Sequence, residues 1–343
     1  SYAPGFELGR PIVSRVVGTV AGVSVLLLGG DAVTLMTASV CTTMLGLALL
    51  VRAVRPYITW SLAGWRPIAV AAIRHSSGFL VAAFVLVTYQ QIDTVVISLL
   101  VDREVLGWYA TADVLFGSLL FIPTIVTASI FPVLGRLHQD DPEGLTSLVV
   151  RTFTTTMVAA VPIGLGTMIV GPDLAPTLFG EEFRPSGEVL FALGPVIVCT
   201  FATVLFGTVA LSTGRQRLWN TVMAVGAVLT IPLDLVLVPW ADRHYGNGAI
   251  GGAMAYAVTE SIMVAIGLWK VVPFLVTRSM GWRLARLAVA GGLMFAAAWP
   301  VRHELIAIPV VVAVVAYAIA ALALGAVTAE DREFALRALR RGA

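Results

Sequence analysis

The stretch GFLVAAFVLVTYQQIDTVVISLL, residues 78–100, decides how the chain is read. A helical span needs about 20 apolar residues, and this segment is long enough to cross a bilayer. Its first half, GFLVAAFVLVT, carries no charge. Yet Tyr89, Gln90, Gln91 and Asp93 sit inside it. A carboxylate at mid-membrane costs about 2.5–3.5 kcal/mol on insertion scales, so such residues persist where they face a cavity or a partner.

The rest of the chain fits a membrane setting. Of its 343 residues, 58% are hydrophobic and 12% charged, with a mean hydropathy of +0.93. A soluble domain carries about 25% charged residues. Ten segments qualify as spans: 12–30, 32–53, 78–100, 108–134, 150–171, 187–211, 218–239, 249–270, 283–300 and 305–327. Their even spacing and short connections predict a helical bundle. A β-barrel would show short alternating strands instead.

Charge orients the bundle. With the N-terminus in the cytoplasm, 18 of the 22 basic residues fall on the cytoplasmic side, and only Arg103, Arg184, Arg243 and Arg302 fall outside. A missed or false span would scramble this asymmetry. Arg15 is read as snorkelling to the cytoplasmic surface. The longest connection, 54–76, holds Trp60, Trp65, Arg66 and Arg74 and reads as an amphipathic helix lying in the cytoplasmic interface. No basic tract is interleaved with aromatics, so nucleic acid is not an expected partner. Cys41 and Cys199 fall in apolar segments and read as small core residues, with no disulfide and no metal site. The chain opens on Ser1, its first residues do not form a signal peptide, and it reads as an internal piece of a longer protein.

Four acids lie within spans. Asp93 falls in the outer half, with Tyr89 and Gln90 on its helix face. Asp113 enters the fourth span from outside, and Pro123 further along predicts a kink whose freed carbonyls Thr124 and Thr127 would satisfy. Asp234 follows Thr230 by one turn in LTIPLDLVLVPW, where Pro232 breaks the hydrogen-bond ladder. Glu260 sits near the middle of the eighth span, one turn after Tyr256. Each acid has two readings: a helix–helix hydrogen bond, or a wall of a cation or substrate cavity. Glycine is abundant, at 32 residues, which permits close helix approach and sliding.

The order of these features resembles the polysaccharide flippases of the multidrug/oligosaccharidyl-lipid/polysaccharide exporter superfamily. The carriers of the resemblance are QQIDTVVISLLVDREVLGWYATADVLFGSLLFIPTIVTASIFPVLGRL, then LFGEEF at 178–183, then the run from STGR at 212–215 to GNGAIGGAMAYAVTE at 246–260. It implies an all-α polytopic membrane protein with about ten transmembrane helices, corresponding to helices 5–14 of a two-lobe, 14-helix exporter. Residues 1–53 would be the last two helices of an incomplete N-lobe and 54–76 the interfacial linker. Residues 77–271 would be the six-helix C-lobe, and 272–343 two extra helices and a cytoplasmic tail.

The function implied is flipping of an undecaprenyl-pyrophosphate-linked oligosaccharide between leaflets of the bacterial inner membrane by cation-coupled alternating access. The partners implied are that lipid-linked oligosaccharide, membrane lipid, and the polysaccharide polymerase or ligase machinery. The resemblance carries a cation site onto Asp93, Asp234, Thr230 and Tyr256. Tyr256 departs from the threonine expected there, and Thr230 from an amide. Two carboxylates at Asp93 and Asp234 suit Na⁺ or a shared proton, and both stay open; no other metal or cofactor is expected. Tyr89, Gln90, Asp113 and Glu260 would line the substrate pathway. A drug or cation antiporter of the same superfamily, a membrane glycosyltransferase or O-antigen ligase, and a non-transporting scaffold are the alternatives. A ligase needs a sizeable outer loop, and the longest expected here are only 172–186 and 240–248.

Overall fold

The computed structural model describes residues 17–25, 27–54 and 65–326. They form helices α1 (17–25), α2 (Ala32–Val54), α3 (Trp65–Leu100), α4 (Arg103–Leu119), α5 (Phe121–Asp140), α6 (Pro142–Phe179), α7 (Arg184–Ser212), α8 (Gln216–Tyr245), α9 (Gly248–Lys270), α10 (Arg278–Ala298) and α11 (Ala307–Ala323), with no strand among the described residues. Seven of the described segments are long and apolar enough to cross a membrane, and Val33–Ala48 and Ala307–Ala323 are shorter apolar helices. Large side chains on their outer faces, such as Phe84, Leu99 and Phe121, are exposed, as expected of surfaces that meet lipid. The chain is an all-α polytopic membrane protein. It divides into two compact units, 1–77 and 78–343.

In the first unit, Gly29 takes φ +76° in the turn between α1 and α2. Asp31 then caps α2, accepting from the Thr34 hydroxyl at 2.7 Å and the Thr34 N–H at 2.9 Å. These two bonds hold the Asp31 carboxyl below its ordinary range. Cys41, expected in a core, is exposed on α2. A membrane helix needs no water-excluding core on its lipid side, so an apolar segment does not imply a buried thiol.

Three boundaries differ from the sequence reading. The stretch 78–100 is the second part of α3, which begins at Trp65. Pro67 lies in its first turn, where a missing N–H breaks nothing, and no stop signal follows before the span. Residues 65–76 are therefore helical and run unbroken into the span. The remainder of the expected interfacial linker, 55–64, lies outside the described residues, as do Arg15 and the tail from 327.

The expected fourth span, 108–134, lies within the single apolar stretch Arg103–Asp140 and is interrupted at Leu120, near Pro123 where the sequence predicts a kink. Pro123 has no N–H for the carbonyl of Leu119, so the α4 ladder ends there. The Thr124 and Thr127 hydroxyls donate to Leu120 O at 2.7 Å and Pro123 O at 2.8 Å, not to the Leu119 carbonyl that the proline releases. The connections expected at 172–186 and 240–248 are also shorter than predicted. α6 continues to Phe179 and stops at Gly180, φ +103°, while α8 continues to Tyr245 and stops at Gly246, φ +67°. Both glycines take a backbone conformation that other residues rarely adopt.

In the second unit α7 occupies the centre, burying Leu193, Ile197, Phe201 and Leu205. Its close partner is α6. A Cβ on Gly164 would meet Gly194 O at 2.6 Å, and one on Gly194 would meet Gly164 O at 2.7 Å. Seven residues along each helix, a Cβ on Gly187 would meet Gly171 O at 2.7 Å. Two glycine pairs thus bring the antiparallel backbones into contact, the small-residue packing that membrane helices use when no hydrophobic effect drives them together. On the other side of α6, α10 and α11 are seated by Gly291 against Val161 and Leu165. Tyr317 on α11 donates to Val158 O at 2.8 Å. Val158 is the carbonyl that Pro162 leaves without a helical partner.

Replacing Gly164 or Gly194 with Ala is expected to destabilise the protein by about 1–3 kcal/mol through overpacking against backbone that cannot yield. Gly166, on the same helix, has nothing within 4 Å of its would-be Cβ. Gly166→Ala should leave stability unchanged or raise it by about 0.5–1 kcal/mol. Thermal unfolding of the detergent-purified variants measures both.

Candidate functional site

α3, α4, α5, α7, α8 and α9 enclose a cavity of about 640 Å³. Of the predicted site residues, Tyr89, Gln90, Asp93, Asp113, Tyr256 and Glu260 line it; Thr230 and Asp234 stand behind its wall on α8. Tyr256 packs edge-on against Phe116 at 5.7 Å between ring centres and against Tyr89 at 6.5 Å. Asp113, read from sequence as near the outer interface, is half-buried and faces the cavity. Cys199 is half-buried near Ser261 at 3.9 Å.

Two arrangements hold carboxylates in this unit. The first is centred on Glu260, 1% exposed. The Tyr89 hydroxyl donates to Oε1 at 2.6 Å and the Thr203 hydroxyl contacts Oε2 at 2.9 Å. Thr203 Oγ1 also lies 3.1 Å from Thr200 O. A threonine has one hydroxyl hydrogen and here has two acceptors. The Thr203 hydrogen is thus shared between Glu260 Oε2 and Thr200 O, while Tyr89 donates to Oε1. This network ties α3, α7 and α9 together.

The second arrangement lies between α3 and α8. Asp93 is 6% exposed, Asp234 0% and Thr230 1%. The Thr230 hydroxyl lies 3.1 Å from the Thr259 hydroxyl on α9. Asp93 Oδ1 and both carboxylate oxygens of Asp234 are buried with no hydrogen-bond donor among the described residues. Buried carboxylate and hydroxyl oxygens are hard atoms, the chemistry that suits an alkali cation or a shared proton.

Thr230 and Asp234 thus lie buried one turn apart on α8, while Asp93 lines the cavity together with Tyr256. Thr259 stands near Thr230. Sequence reasoning missed Thr259, Thr200 and Thr203. Thr259 carries a weak signal, three residues after Tyr256 and so on nearly the same face. Thr200 and Thr203 carry none, because threonines inside spans usually bond their own helix.

The Glu260 network makes a specific demand. Glu260→Gln can accept from Tyr89 and donate to Thr203, and should stay within about 1 kcal/mol of wild type. Glu260→Ala strands the Tyr89 hydroxyl and should cost about 1–3 kcal/mol. Thermal unfolding in detergent compares the two.

Lipid II flippase MurJ, in its inward closed conformation, superposes with a TM-score of 0.72 and 12% identity over 91% of this chain and 66% of that one. At that identity the likeness is one of fold. Two Haloferax volcanii proteins match in sequence. The "Probable low-salt glycan biosynthesis flippase" is 19% identical over 60% of this chain and 44% of its own length. The "Probable flippase" is 22% identical over 51% of this chain and 36% of its own length. The chain thus spans less than half the length of the curated relatives it matches. A family model described as polysaccharide biosynthesis protein matches residues 7–188. With more than half of its length covered, the chain belongs to the polysaccharide biosynthesis protein family.

Proposed function

We propose that this chain is part of a flippase that moves an undecaprenyl-pyrophosphate-linked oligosaccharide from the inner to the outer leaflet of a bacterial inner membrane, with its termini in the cytoplasm, serving cell-surface polysaccharide synthesis alongside a polymerase or ligase. Two flippase-named relatives and a flippase of like fold support the transport class. The observation that carries the coupling is the set of three buried carboxylate oxygens on Asp93 and Asp234 without donors. Such oxygens are costly in a membrane unless a cation or proton joins them. Binding there draws α3 and α8 together, and release lets them part. That is the kind of two-state element that alternating access requires.

A specific observation also favours a second reading, an antiporter for organic cations. Asp93, Asp113 and Glu260 share the cavity with aromatic rings, and no basic residue lines it among those described.

Full-length protein in liposomes, given a labelled lipid-linked oligosaccharide and an imposed Na⁺ or H⁺ gradient, tests the first reading. Asp93→Asn and Asp234→Asn should each reduce gradient-driven translocation at least tenfold. Translocation that keeps its full gradient dependence in both variants removes the cation site. Gradient-driven export of a cationic dye, with no lipid-linked sugar moved, selects the antiporter.

A further inference from the structure

The cavity has two chemically different parts. Its acids are largely engaged or shielded: Glu260 is held by Tyr89 and Thr203, and Asp93 is 6% exposed. The remaining polar lining is neutral. Four primary amides face the cavity, Gln90 and Gln91 from α3 and Gln216 and Asn220 from α8. Among the described residues, none of these four side chains is hydrogen-bonded to another protein group. Each amide offers two donors and one acceptor carbonyl. Trp219, Tyr256 and Phe116 line the same cavity.

This pairing of uncommitted amides with aromatic rings matches a sugar. A sugar ring presents C–H faces to aromatic surfaces, and vicinal hydroxyls that both donate and accept around its edge. Ligand sites of this kind join an apolar body to a few placed polar groups. A diphosphate finds the opposite environment. Among the described residues no Lys, Arg or His lines the cavity, while three carboxylates do. Like charges in a poorly solvated cleft repel strongly. An organic cation would need open acidic surface, yet two of the three acids are occupied or shielded.

Resting on the flippase reading, we propose that this cavity receives the uncharged, hydroxyl-rich sugars of the glycan, and that the diphosphate is held outside it. The cavity then discriminates by charge. Neutral sugars enter, and sugars bearing carboxylates meet Asp113.

The test uses purified full-length protein in lipid nanodiscs, titrated by ligand-observed NMR with maltotriose, chitotriose, trigalacturonate, inorganic pyrophosphate and tetraphenylphosphonium. At least one neutral trisaccharide should bind, and trigalacturonate should bind at least tenfold more weakly. The double change Gln216→Ala and Asn220→Ala should weaken the neutral sugar at least tenfold, and Asp113→Asn should narrow the gap to trigalacturonate. Should the double variant fail to fold, Asn220→Asp keeps the side-chain size and is expected to widen that gap. Binding of neither neutral sugar overturns the proposal, as does displacement of the bound sugar by pyrophosphate. Displacement by tetraphenylphosphonium that depends on Asp113 overturns it in favour of a cation site. Translocation by the same wild-type protein separates the two readings. Transport without sugar binding removes only the cavity assignment; sugar binding without transport keeps it and removes the flippase reading.

Discussion

The contact between α6 and α7 is the constraint on which the second unit depends. α7 touches α4, α5, α6, α8 and α9, and a helix in that position must bring its backbone close to its neighbours. Gly164 with Gly194, and Gly171 with Gly187, remove the side chains that would hold α6 away. Because α7 is seated there, its opposite face delivers Thr200 and Thr203 to the cavity and to Glu260. The glycines that read from sequence as a licence for sliding here fix a position. Gly251 and Gly252 on α9 have a related role, opening room for Leu237 of α8 and Ile97 of α3.

The unit holds its carboxylates in two contrasting ways. Glu260 has a donor on one oxygen and a hydroxyl partner on the other, both from different helices, so its network is complete within the protein. Asp93 and Asp234 keep three oxygens without donors, so theirs is not. A complete network favours one arrangement of helices, while an incomplete one leaves the local geometry sensitive to what binds. The two meet at adjacent positions of α9, whose consecutive residues Thr259 and Glu260 contact Thr230 and Thr203. A movement of α9 would therefore disturb both at once.

The membrane class, the antiparallel order of spans and the acids within them were legible from Asp93, Asp113, Asp234 and Glu260 standing in apolar runs. What joins those acids was not. Tyr89 and Glu260 are separated by 171 residues, and helical spacing, which pairs Tyr89 with Asp93, gives no information on a partner from another helix. Thr259 was missed for a related reason: a motif position fixes a residue's height on α9, and not which of its side chains meets Thr230 of α8. The helix start at Trp65 was missed because hydropathy detects the membrane and not the helix, and α3 is helical well before it becomes apolar.

The hydrogen bond from Tyr317 to Val158 has a consequence for how the protein is made. Pro162 deprives the Val158 carbonyl of its helical partner, and the replacement donor lies 159 residues further along the chain. α6 therefore leaves the ribosome long before α11 exists. Until α11 arrives, that carbonyl needs water, a lipid headgroup or a chaperone to satisfy it. The arrival of α11 is thus a late assembly step that completes an earlier one, and a chain interrupted before Tyr317 would carry an unfinished α6 in the bilayer.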